Sequence, residues 1–184
     1  FGIVELFRAD ARPHKINLAA GVYMDEQGVT PILPSVRAAE ERLLASTTSK
    51  LYMPIGGDPA YLAAAKSLLF RTVGGAWGEI EPAAADRVQM IHTPGGTGAV
   101  RLAVDLVSRL RPGAEIWVGE PTWPNHTQII ESSHITARRH DWITDDARSL
   151  NTGAIFDAIA AAKGGDAMIL HGACHNPTGI DPTP

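Results

Sequence analysis

Residues 167–179 read AMILHGACHNPTG, and this stretch decides the fold. A short apolar run, Ala167-Met168-Ile169-Leu170, follows the turn Gly164-Gly165-Asp166 and breaks into His171, Cys174, His175 and Asn176 before Pro177-Thr178-Gly179. A few apolar residues bounded by turn signals are the pattern of a buried parallel strand. Ligands of open α/β sheets bind beyond the carboxyl ends of the strands, which makes the polar groups there candidate contacts. The proline after Asn176 biases its backbone to an extended conformation, so its amide can meet a ligand with little ordering cost. The same residues are also compatible with an ordinary Asn-Pro turn.

Upstream, strands and helices alternate. Val88–His92, Glu115–Gly119 and Ile135–His140 read as strands. Between them Ala99–Leu110 is an amphipathic helix, residues 120–126 lead into a helix through Ile130, and Ala154–Ile159 forms another. The alternation predicts an α/β fold, a mostly parallel sheet with flanking helices. Nearer the start, Ile3, Val4, Leu6 and Phe7 mark a short helix, and Ile16-Asn17-Leu18 is extended. Asp25 to Gly28 is a turn, Pro34-Ser35 opens a helix, and Asp58-Pro59 caps another that runs to about Phe70. Gly74 to Pro82 reads as a loop.

With 184 residues there is room for about one domain. Sixteen basic against 20 acidic residues, a net charge of −4, give no reason to expect nucleic acid or an anionic membrane as partner. Cys174 is the single cysteine, which rules out an internal disulfide and fits a reducing, cytoplasmic compartment. The chain begins on Phe1 and ends at Pro184 in a proline-rich turn straight after a strand, which reads as a fragment of something longer.

The most physical chemical signal is Thr93-Pro94-Gly95-Gly96-Thr97-Gly98, a turn between strand and helix. Glycines let backbone N–H groups converge on an anion, the helix N-terminus adds partial positive charge, and Thr97 adds a hydroxyl. Tight strand–helix packing would use the same glycines. Trp123, just past a strand end, is suited to stacking on a planar ligand, or to wedging the core. Trp77, Trp117 and Trp142 read as packing residues. Tyr52, in a loop, has a hydroxyl for a phosphate or for water, and His126 opens a helix where it could orient an acid. His171, Cys174 and His175 lack a second cluster at zinc spacing, so no metal is expected.

Six strings converge: NLAAGVYMDEQG at 17–28, PSVRAAE at 34–40, YMPIGGDP at 52–59, TPGGTGAVRLAVD at 93–105, EPTWPNH at 120–126 and HGACHNPTGIDPT at 171–183. In this order they resemble the class I aminotransferases of the aspartate and aromatic amino-acid branch. The resemblance implies a fold type I, homodimeric enzyme that binds pyridoxal 5'-phosphate and takes an L-amino acid and a 2-oxo acid in a ping-pong cycle. It assigns Gly95, Gly96 and Thr97 to the cofactor phosphate, Trp123 to the ring face, Asn176 to the ring oxygen, and Tyr52 to the phosphate of the partner subunit's site. Gly21, with Trp123 and Asn176, would meet substrate, and His126 and His171 would stand behind the ring. Residues 1–30 would be an arm and small-domain segment, and 31–184 the first part of the cofactor domain.

The family's Schiff-base lysine, its acid for the ring nitrogen and its substrate arginines follow the HNPTG string. None of Lys15, Lys50, Lys66 and Lys163 falls in a matching position. The expectation is half a cofactor site that is inactive by itself. Two other readings stay open: a phosphate-binding α/β module, and a family member that has lost catalysis and regulates or binds a partner.

Overall fold

The apolar runs after the glycine-rich turn become three parallel strands, β1 (Ile116–Glu120), β2 (Ala137–Asp141) and β3 (Ala167–Ile169), in the order β2-β1-β3. They belong to a computed structural model that describes residues 2–17, 21–71, 80 and 82–183. Ile116 stands opposite Ala137 on one side and Ala167 on the other. Three helices accompany the sheet: α5 (Gly95–Leu110), α6 (Pro124–Ser132) and α7 (Thr152–Ala161). Val104 of α5, Ile116 and Val118 of β1, and Ile129 and Ile130 of α6 form one buried cluster. Ile116 and Val118 share a face because side chains alternate along a strand. The opposite face of β1 carries Gly119, where an added Cβ would lie 3.2 Å from two atoms of Trp142.

Polar pins fix the sheet at its ends. The Asp166 carboxylate accepts the backbone N–H of Glu115 at 2.9 Å and of Lys163 at 2.9 Å, tying the start of β1 to the turn before β3. On the outer strand β2, Arg138 pairs with Glu115 and Arg139 with Glu120. Charge along an outer strand also discourages edge-to-edge pairing.

Contacts group the chain into two units, Phe1–Tyr52 and Met53–Pro184. The first holds α1 (Gly2–Ala9) and α2 (Pro34–Ser46), neither with a buried residue. Its turn closes through the Gly28 N–H on the Asp25 carbonyl, while the Asp25 carboxylate accepts from Gln27 and Val29. The second unit begins with α3 (Pro59–Leu69), capped by the Asp58 side chain on the Tyr61 N–H at 2.8 Å, and includes the short α4 (Pro82–Ala85).

Two expectations change. Val88–His92 is not a strand: among the described residues no ladder forms on it, and its backbone tie is the His92 N–H on the Gly56 carbonyl at 2.9 Å. Apolar alternation makes a strand only where a neighbouring strand offers its own N–H and C=O groups. The glycine-rich turn is also shorter than expected, because helix α5 starts at Gly95 rather than Ala99. Leu18, Trp77 and most of the 74–82 loop lie outside the described residues. No helix among the described residues is long and apolar enough to cross a membrane.

Candidate functional site

β1 and β3 are neighbours in the sheet although β2 separates them in the chain, and the residues just past their carboxyl ends face a common hollow. Reversals of strand order of this kind are where α/β proteins bind ligands. Trp123 is the residue before α6 and His126 sits in the first turn of that helix. His171 and Asn176 follow β3. All four line a cavity of about 330 Å³ with Val100, Ile169, Leu170 and Ala173. The side-chain amide of Asn176 has no partner among the described residues, which leaves it available to a ligand.

Behind the cavity runs a hydrogen-bonded chain that starts from one backbone donor. The Asn176 N–H donates to Nδ1 of His171 at 3.1 Å. Nδ1 is therefore an acceptor, and a neutral His171 carries its proton on Nε2. That N–H donates to Thr122 Oγ1 at 3.2 Å, and the Thr122 hydroxyl donates to Nδ1 of His126 at 2.8 Å. With no other acceptor for the Thr122 hydroxyl among the described residues, this arrangement places the proton of a neutral His126 on Nε2. Burial, and then the neighbouring His171, push the His126 imidazole below its ordinary pKa, and burial does the same to His171 against the pull of Asp181. Both rings are accordingly held neutral, in the state the chain requires. Trp123 meets His126 edge-on at 5.2 Å, and His126 meets His171 edge-on at 5.3 Å.

A second layer supports the first. His175 is 2% exposed and stacks between Trp142 at 4.4 Å and His171 at 4.1 Å. Its Nδ1 lies 2.8 Å from Thr178 Oγ1, and its Nε2 has no partner among the described residues. Trp142 donates from Nε1 to the Ile180 carbonyl at 2.9 Å. It is a packing residue, as its sequence suggests, and it also seats this loop.

The predicted anion contacts lie at the N-terminus of α5. Gly95 has φ +67°, no side chain caps the helix, and a Cβ at Gly95 or Gly96 would meet nothing within 4 Å. First-turn N–H groups have no intrahelical acceptor, so this open end offers donors to an anion. Val100, further along the same helix, lines the cavity described above. Tyr52 and Gly21 belong to the first unit; the Tyr52 side chain is fully exposed, and a Cβ at Gly21 would meet nothing within 4 Å.

Two contributors escape the sequence reading, Thr122 and Asp181, while Trp142 reads there only as packing and His175 only as one of the polar group after the strand. Thr122 carried a usable signal, since a hydroxyl four positions before a histidine at a helix start can reach its ring. Trp142, His175 and Asp181 act through tertiary contacts with no local pattern.

Residues 13–184 match the family of class I and II aminotransferases. The chain is 42% identical over 183 residues to the aspartate aminotransferase of Salmonella typhi, covering 99% of itself and 44% of that protein. To the tyrosine aminotransferase of Rhizobium meliloti it is 41% identical over 177 residues, covering 96% of itself and 43% of the relative. An aromatic-amino-acid aminotransferase from Burkholderia pseudomallei, solved covalently bound to pyridoxal phosphate, superposes with a TM-score of 0.89 at 33% identity, over 99% of this chain and 44% of that one. The chain spans less than half the length of these relatives.

Proposed function

The chain belongs to the class I and II aminotransferases, and we propose that it forms the cofactor-facing wall of an enzyme that moves an amino group between an L-amino acid and a 2-oxo acid. The observation that carries this reading is the hollow between the ends of β1 and β3, where Trp123 and an unpartnered Asn176 amide stand in front of the Thr122 relay.

The residues present fit pyridoxal 5'-phosphate. An uncapped helix N-terminus with open space over Gly95 and Gly96 suits a phosphate, with Thr97 as a further donor. Trp123 suits the face of a planar ring and Asn176 its phenolic oxygen. When bound, this cofactor supplies an electron-withdrawing ring that takes up the electron pair released as a substrate loses its Cα proton. The chain's own residues orient and polarise. Trp123 would hold the ring plane, Asn176 would donate to an oxygen that gains negative charge, and the bond to Thr122 leaves Nε2–H of His126 as a donor. That donor would hold an acid in place, as the resemblance implies. No lysine lines this cavity: Lys66 bonds the Ala85 carbonyl, and Lys163 lies in the turn at the amino end of β3.

The substrates proposed are aspartate, an aromatic amino acid or both, with a 2-oxo acid such as 2-oxoglutarate. We further infer a cytoplasmic homodimer in which Tyr52 serves the partner's phosphate site and Gly21 the substrate, with residues 1–30 as arm and small-domain segment and 31–184 as cofactor domain. The test is visible absorption of the complete protein with pyridoxal phosphate, before and after L-aspartate, L-phenylalanine or L-tyrosine. A cofactor band that bleaches on adding an amino acid supports the reading, and the faster substrate names the branch. A folded protein that gives no such band points to a binding or regulatory protein instead.

A further inference from the structure

Asn176 is exposed, is followed by Pro177, and among the described residues its backbone is tied by one bond, to His171. Something else must hold the loop that carries it. Cys174, two residues earlier, has φ +53°, a left-handed conformation disfavoured for any residue with a Cβ. Its N–H donates to one oxygen of Asp181 at 2.7 Å, and the N–H of His175 donates to the other at 2.7 Å. One carboxylate thus receives both donors through short, charge-assisted bonds. The Gly179 N–H closes the loop from within, on the His175 carbonyl at 2.7 Å.

We propose that Asp181 is a positioning residue of this site: by holding the N–H groups of Cys174 and His175 it fixes the loop that presents Asn176 and the ring against which His171 stacks. The inference rests on the cofactor reading above. His175 is the link, since its backbone is clamped by Asp181 and its imidazole lies 4.1 Å from that of His171. Two outputs depend on one carboxylate: the place of the Asn176 amide, and the alignment of the His171 ring that starts the relay to His126.

The test compares Asp181→Asn with Asp166→Asn in the complete protein. Both residues are carboxylates that accept two backbone N–H groups, but Asp166 does so at the opposite end of the strands. An asparagine keeps at most one acceptor for the pair and sets an NH₂ group against the other donor. The readouts are affinity for pyridoxal phosphate, the absorption maximum of the bound cofactor, and the unfolding midpoint. Expected is binding about tenfold weaker and a displaced maximum for Asp181→Asn, with both unchanged for Asp166→Asn at a similar loss of midpoint. Equal effects of the two variants, or none from Asp181→Asn, overturn the proposal while the cofactor reading stands. A wild type that does not bind pyridoxal phosphate overturns both. Should Asp181→Asn not fold, Thr178→Ala, which removes the loop's bonds to His175 and Ile180, replaces it under the same criteria.

Discussion

The backbone N–H of Asn176 donates to Nδ1 of His171, 3.1 Å away, and this bond places the proton of a neutral His171 on Nε2. A backbone amide can only donate, so His171 accepts there and donates to Thr122 through Nε2; the Thr122 hydroxyl then finds its one acceptor among the described residues in Nδ1 of His126. The residue that would face the cofactor oxygen and the residue that would face an acid are thereby linked by three hydrogen bonds.

Thr122 is the reversible element of that chain, and Thr122→Val tests it. The substitution keeps shape but strands a donor on His171 and an acceptor on His126, at a cost of about 2 kcal/mol. Chemical denaturation of the complete protein without cofactor should show that loss, and Thr122→Ser should restore most of it. Equal stability of the valine and serine variants would contradict the relay.

Acid should weaken the fold in a window set by the histidines. Burial is the leading cause that lowers the pKa of His126, His171 and His175, with Asp181 acting in the opposite sense on the latter two. The folded state therefore binds protons less readily than the unfolded chain, whose imidazoles titrate near ~6.5. Stability is complete above that value and is lost as pH falls through the depressed folded values. Asp166 and Asp181, held low chiefly by backbone N–H groups, contribute stability that is present above the ordinary carboxylate value of about 4 and is lost as pH falls from there through their lowered folded values, below the histidine window. A denaturation midpoint that declines between about pH 7 and 5 is expected; a flat profile there would count against neutral, buried imidazoles.

The two glycines at the start of α5 should separate stability from binding. Gly95 has φ +67°, so Gly95→Ala should cost about 1–2 kcal/mol in thermal unfolding even though its Cβ meets open space. Gly96 has no positive φ and the same open space, so Gly96→Ala should leave Tm unchanged. Its methyl instead enters the volume proposed for phosphate, and titration should show weaker binding of pyridoxal phosphate. Unaltered affinity in Gly96→Ala would move the anion site elsewhere.

A substitution on the far face of the sheet should reach the same loop. The Cβ of Gly119→Ala would approach Trp142 to 3.2 Å, and Trp142 is buried and stacked on His175. Overpacking of this kind costs about 1–3 kcal/mol, to be read from the unfolding midpoint. Near-ultraviolet circular dichroism should report the displaced indole.

Much of this was legible in the residues. Turn signals around short apolar runs located all three strands to within two residues, because β1 buries and β3 half-buries its side chains and the pattern records burial. Trp123, His126, His171 and Asn176 could be singled out because strand ends in α/β sheets converge. Val88–His92 misled for the complementary reason: alternation records a preference for a sheet, whereas pairing needs a neighbour. Asp181 was invisible since its partners are backbone N–H groups, which every residue but proline possesses and no side-chain pattern marks.

Thr122 and His171 stand 49 positions apart in the chain and meet only where β3 lies alongside β1. During synthesis, a nascent chain that has emerged as far as α6 displays Trp123 with nothing opposite it. Even after β3 has docked, the wall is unfinished until Asp181, ten residues beyond His171, has left the ribosome. The bond between Thr122 and His171 therefore cannot form from either segment by itself; it waits until residues 167–171 have joined the sheet beside β1.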